Sequence, residues 1–260
     1  MRPKARRTIL LGIALLVAAF FYVVPPIPQD IAYHDFADKR TLFGLPNFWN
    51  VTSNLSFVMV GLVGMRKVWR GRLQGGLADL RAIYFLFFLG LLLTGLGSGY
   101  YHLVPSNRTL VWDRLPMAVV FMAFFSAVLG EQWSARLGRS ALIPLVVLGV
   151  LSVFYWEGTE LIGHGDLRPY VLVQFLPMLL LPILLLGFPS ALTGPGYVWA
   201  VLAGYTVAKL CEWQDAAVLQ VLGQLSGHTL KHVSAAAAGY IFLLALERRH
   251  IHGTAGPAKE

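Results

Sequence analysis

Charge is scarce in this chain. Asp, Glu, Lys and Arg together make up 13% of the 260 residues, against 57% hydrophobic residues. Soluble domains carry about 25% charged residues, so this chain lacks the charge to cover a water-facing surface, and such a composition also excludes disorder. Cysteine is scarcer still. Cys211 is the single one and lies in an apolar run, which excludes an intramolecular disulfide and a cysteine-based zinc site and leaves a small apolar side chain. Acids are few as well, 13 against 21 bases, for a net charge of +8. In a soluble protein that excess would point to nucleic acid. Here the bases gather at the ends of apolar runs, as in membrane proteins, and no nucleic-acid partner is expected.

What the chain has in abundance is long apolar runs. About 20 such residues cross the hydrocarbon layer. The first run, 8–24, follows a basic start and exits through Pro25-Pro26-Ile27-Pro28 without a small-residue cleavage site, so it reads as an uncleaved anchor. Seven more follow, at 48–68, 82–103, 115–129, 141–156, 170–188, 197–213 and 227–246, joined by short links rich in Gly, Pro and charge. The expected fold is all-α: a polytopic membrane protein with a seven-helix bundle plus one N-terminal anchor helix. The expected division is 1–30 for anchor and linker, 31–250 for the bundle and 251–260 for a cytoplasmic tail.

Orientation follows from the bases. With the N-terminus in the cytoplasm, the inner segments hold Arg2, Lys4, Arg6, Arg7, Arg66, Lys67, Arg70, Arg72, Arg81, Arg136, Arg139, Arg248, Arg249 and Lys259. The outer segments hold Lys39, Arg40, Arg108, Arg114 and Arg168, a ratio of 14 to 5. Lys209 and Lys231 fall inside expected spans.

Ionisable groups inside a span are costly and mark function by default. Ser98 and His102 stand four residues apart on one helix face, as do His228 and His232. Two imidazoles at that spacing can aim at one point, and His102 can supply a third nitrogen for zinc, which accepts three protein nitrogens and a water. The topology puts His102, Asp113, His228 and His232 at one membrane level, although the charge count used none of them. Asp113 is also readable as an acid at a helix start, and Ser98 between Gly97 and Gly99 as a small packing residue. Lys209, Glu212 and Asp215 are expected to form a structural ion-pair ladder on one helix, with the substrate entrance as the other reading. Glu157, Glu160, His164 and Asp166 are expected in a solvated loop, and Trp49, Trp112, Trp156 and Trp213 at the interfaces. His34 receives no role. Lys231, near the metal-facing side but not on it, is expected to hold an anionic product or a neighbouring carboxylate.

The pattern Ser98-x-x-x-His102, Asp113, His228-x-x-x-His232 resembles the alkaline ceramidase family, part of a wider group of seven-helix membrane hydrolases that includes the progestin and adiponectin receptors. The segment Asn47-Phe48-Trp49-Asn50-Val51-Thr52-Ser53-Asn54 is similar to the Phe-Trp-Asn opening of that family's first helix. The resemblance spans roughly residues 33–248 and implies a zinc-dependent amidase that splits ceramide or a similar N-acyl lipid into fatty acid and amine. It implies His102, His228 and His232 as zinc ligands, with Ser98 and Asp113 as catalytic residues beside the metal and its water. The anchor is additional to the family pattern. So is the make-up of 33–40, where two acids stand beside two bases and Asn47 replaces the family's usual Glu; these are few oxygens for calcium, which takes six to eight. The compact chain is expected to be a bacterial-type member in the inner membrane, with the site toward the periplasmic face. A lipid-binding, receptor-like protein without turnover is the alternative. A retinal protein using Lys231 fits poorly, because that lysine lies one turn from its helix start. A transporter fits poorly too, because the polar groups gather at one end.

Overall fold

The computed structural model describes the backbone of residues 3–71 and 73–252, with side chains from Leu11 onward. Arg2, Arg72, Lys259, the side chains of Lys4, Arg6 and Arg7, and the tail from residue 253 lie outside the described residues. The protein is an all-α polytopic membrane protein, and no strand is present among the described residues. The helices are α1 (Pro3–Val23), α2 (Phe48–Thr52), α3 (Leu55–Trp69), α4 (Arg81–Leu103), α5 (Asn107–Gln132), α6 (Ala135–Leu161), α7 (Arg168–Gly187), α8 (Gly196–Trp213), α9 (Asp215–Leu222) and α10 (Gly227–Arg248).

Among the described residues six spans, formed by α2 with α3 and by α4, α5, α6, α7 and α10, are long and apolar enough to cross a membrane. Helix α8 takes the place of the seventh and packs along α10. Helices α5 and α6 outrun their apolar runs at both ends. Ser106 and Ser134 accept hydrogen bonds from the backbone N–H of Thr109 and Leu137, capping α5 and α6. Helix α5 therefore begins at Asn107 rather than 115, and Asp113 and Arg114 lie inside it. Helix α6 likewise runs on through Glu157 and Glu160.

Apolar burial gives little drive between helices in lipid, so close packing and internal polar contacts hold the bundle. Phe87, Phe88, Phe124 and Phe242 interlock at its centre. Glycine sets the closest approach. Pro116 has no N–H to offer the Trp112 carbonyl one turn earlier. Gly97 of α4 lies against that carbonyl, where a Cβ would collide with it. This contact brings Ser98 and Asp113 onto facing sides of two helices. Gly227 does the same at the start of α10, pressed against the Cys211 carbonyl and the Asp215 backbone.

Candidate metal centre and lipid cavity

The i,i+4 spacing on α10 puts His228 and His232 on one face, and α4 sets His102 opposite them. All three are buried. One ligand nitrogen from each lies within 4.8 Å of the others, so the trio could hold a metal ion. The Nε2 atoms of His102 and His228 are 3.2 Å apart. His232 Nε2 and His102 Nδ1 are buried without a hydrogen-bond partner. A neutral imidazole has one N–H and one lone pair. Burial of several lone pairs together is unfavourable until a cation or donor meets them.

A supporting layer orients these rings. Ser53 Oγ is 2.8 Å from His232 Nδ1 and 3.2 Å from the Asn50 carbonyl. When the serine proton goes to that carbonyl, Nδ1–H donates to Oγ and the Nε2 lone pair faces inward, the arrangement common behind metal-bound histidines. Asn47 sits in the left-handed region at φ 48°, which Asn tolerates, and its side chain donates to the His102 carbonyl at 2.9 Å. Asn50 accepts from Thr229 Oγ1 at 3.1 Å. Phe36 covers the rings of His102 and His228. Ser53 and Phe36 escaped the sequence reading because neither is ionisable. Ser53 was already inside the quoted 47–54 segment, so that segment held the signal.

Ser98 and Asp113 are buried next to each other, with Ser98 in hydrogen-bonding reach of the carboxyl. Both line a cavity of about 220 Å³. His232 and Lys231 border the same space, and apolar side chains such as Phe87, Phe124 and Met178 line the rest. Lys231 donates to Glu212 at 2.6 Å, so the carboxylate expected beside it is Glu212. Lys209 pairs with the same acid. Lys209 and Glu212 form the ion pair expected of them, and both also line the cavity. Asp215 departs from the expected ladder. It opens α9, and its carboxylate accepts the backbone N–H groups of His228 at 2.7 Å and Ala37 at 2.9 Å.

Three expectations need correction. The 157–166 stretch is not a solvated loop: Glu160 accepts from Gln29 N–H and Trp156 Nε1, and Asp166 is buried against Arg168. His164 is exposed, as expected. Trp156 is not interfacial but fully buried. His34 has partners on both nitrogens, Tyr101 Oη and Asn107 Oδ1, each at 2.8 Å. Outside the spans, the Arg40 guanidinium holds the Asp38 carboxyl below the usual carboxylate range by hydrogen bonding. Arg168 does the same for Asp166. Asp35 pairs with Lys39, so the acids of 33–40 meet their own bases.

A helical membrane bundle with three buried histidines at one end of an apolar cavity, and an acid and a serine beside them, defines a class of membrane hydrolase candidates. Comparison with protein-family models matches residues 45–164, just under half of the chain, to the family described as Ceramidase, and this match supports the resemblance read from the sequence. The matched stretch runs from before α2 to just past α6 and contains Ser98, His102 and Asp113. His228 and His232 lie beyond it, joined to it by the geometry of α10. Among curated proteins none matches the chain. The match is consistent with an amide-bond hydrolase of the ceramidase kind that acts on a lipid within the membrane.

Proposed function

We propose that the protein is a zinc-dependent amidase of ceramide or a similar N-acyl lipid, with His102, His228 and His232 as the metal ligands. The observation that carries this reading is the convergence of three buried imidazoles, two of them with an unpartnered nitrogen, beside an apolar cavity that His232 lines. The spacing favours zinc. Two nitrogens bound to tetrahedral zinc at about 2.05 Å lie about 3.3 Å apart, close to the 3.2 Å between the Nε2 atoms of His102 and His228. When bound, zinc supplies a polarised water whose pKa falls to about 7.

The chain's own residues do the rest. Asp113 is placed to accept a proton and return it to the leaving amine, a general base and then acid. Ser98 donates a hydrogen bond toward oxyanion charge as it develops. Ser53 keeps the His232 ring in one tautomer. The apolar lining holds the acyl chain, and the buried setting strengthens each polar contact. The 14-to-5 ratio of bases supports a cytoplasmic N-terminus and a site toward the outer face of a bacterial inner membrane. Residues 31–250 form the ceramidase-like unit, with 1–30 as anchor and linker and 251–260 as a cytoplasmic tail.

The test is a zinc-to-protein ratio and a fluorescent-ceramide assay on purified wild type, Asp113→Asn and Ser98→Ala. Wild type should carry about one zinc and hydrolyse the lipid. Asp113→Asn should keep most of its zinc and lose turnover by about 10²-fold or more. Ser98→Ala should keep zinc and lose roughly 10- to 10³-fold. Wild type that holds zinc yet cleaves no amide lipid would leave the receptor-like alternative standing.

A further inference from the structure

Beside the histidine centre, the same cavity carries a second polar feature that the amidase reading leaves unused. Arg114 follows Asp113 on α5, about 100° farther round the helix, and turns toward α6 and α7. It is 6% exposed, so more than nine-tenths buried, and it lines the cavity. Its guanidinium stands 4.2 Å from the Trp156 ring centre, 5.0 Å from Tyr170 and 5.7 Å from Tyr33. Nη2 donates to Gln29 Oε1 at 2.6 Å. Nη1 is buried without a partner.

Arginine stays protonated at all relevant pH, so this is a permanent, desolvated cation. No ion pair to Arg114 occurs among the described residues, although Asp113, Glu160 and Glu212 lie in the neighbourhood. Glu212 is taken by Lys209 and Lys231. Glu160 accepts from Trp156 and Gln29 instead. Aromatic faces offset part of the desolvation of the cation, but a neutral amide and three rings leave one donor edge of the fork open. Buried charges are normally paired. A buried guanidinium with an unpartnered Nη1, on a residue that lines a cavity, is suited to receive a carboxylate or phosphate.

We propose that Arg114 is an anion-binding residue of the lipid cavity and that the lipid bound there carries an oxyanion at the polar end. The inference takes from the proposed function the use of this cavity for a lipid. Two sources share that chemistry: the carboxylate of a released fatty acid, or an acidic group on the amine side of the N-acyl lipid. The apolar lining receives the chain, and the anion meets Arg114 at the polar end beside Asp113.

Binding rather than turnover tests this. Affinities of oleate against oleyl alcohol, and of N-oleoylglycine against N-oleoylethanolamine, are measured in detergent for wild type, Arg114→Gln and Arg114→Lys, each with and without a metal chelator. Wild type should bind the acidic member of at least one pair about 10- to 100-fold more tightly, the range for a hydrogen bond to a charged group. Arg114→Gln should lose that preference. Should Arg114→Gln fail to fold, Arg114→Lys decides: lysine keeps the charge without the fork and should lose part of it. A preference in the oleate pair assigns the site to the released acid, and one confined to the N-oleoylglycine pair assigns it to an acidic head group. No preference in wild type, a preference unchanged in both variants, or one abolished by chelation would overturn the proposal. Retained preference without hydrolysis of any lipid would instead count against the amidase reading and leave this site in place.

Discussion

Two buried polar clusters lie at opposite ends of α5 and α10, and they are built on different principles. At the far end from the histidines, Glu131 and Arg249 form a bidentate pair with both contacts at 2.8 Å. Tyr84 Oη adds a hydrogen bond to Glu131, and Arg249 Nε donates to the Ala245 carbonyl. Both charged side chains are essentially inaccessible, and their charges cancel. At the histidine end, His102 Nδ1, His232 Nε2 and Arg114 Nη1 have no partner and the cavity is adjacent. A satisfied cluster fixes one arrangement of helices. A cluster with open valences beside a cavity is prepared for something that is not part of the chain. Gln132 Nε2, one residue along from Glu131, is also unpartnered, but Gln132 does not line the cavity.

The sharpest way to break this contrast is to remove one imidazole. His102→Ala, His228→Ala and His232→Ala should each lose bound metal and bring amidase activity to background, while the bundle stays folded. Elemental analysis with the ceramide assay reads this, and full metal occupancy in any of the three would defeat the coordination scheme. At the other end the signs reverse. Glu131→Gln leaves Arg249 buried and uncompensated, which costs about 3–5 kcal/mol. Its thermal midpoint should fall markedly, while activity per folded molecule and metal content stay at the wild-type level. A metal loss in Glu131→Gln would show that the two ends are coupled.

A smaller effect sharpens the comparison within the histidine end. Ser53→Ala removes the partner of His232 Nδ1 and should weaken metal binding about 10- to 100-fold, measured by chelator competition. Unchanged affinity would mean that the His232 ring is held by packing. The smallest effect concerns the segment before α2 that covers the site. Because Arg40 holds the Asp38 carboxyl below its usual range, the unfolded state takes up the proton first as pH falls. The stabilisation is therefore complete above about pH 4 and is lost as pH drops through the folded-state value. Asp38→Asn should lower the thermal midpoint slightly at neutral pH, and the gap to wild type should close below about pH 4. A gap that persists in acid would assign the effect to packing.

The sequence determined the all-α membrane class, because periodicity and hydropathy are local properties that each span carries by itself. It also put His228 and His232 on one helix face, because i,i+4 spacing fixes a shared face before any tertiary contact forms, whereas His102, 126 residues before His228, meets them only through the packing of α4 on α10. Ser98 and Asp113 fell within the same pattern. Only the tertiary structure decided the rest. Ser53 and His232 are 179 residues apart and Glu131 and Arg249 are 118 apart, so no local pattern announces either pairing. Arg249 counted in the sequence as one of the inner-segment bases, and the structure buries it. Arg114 counted as an outer-loop base, and Trp156 as an interfacial aromatic. Arg114 lies inside a helix because α5 begins eight residues before the apolar run, and Trp156 meets Arg114 because α6 packs on α5. Where a helix ends, and which neighbour its last turn meets, depend on caps and packing across the bundle, and a linear sequence records neither as a repeating pattern.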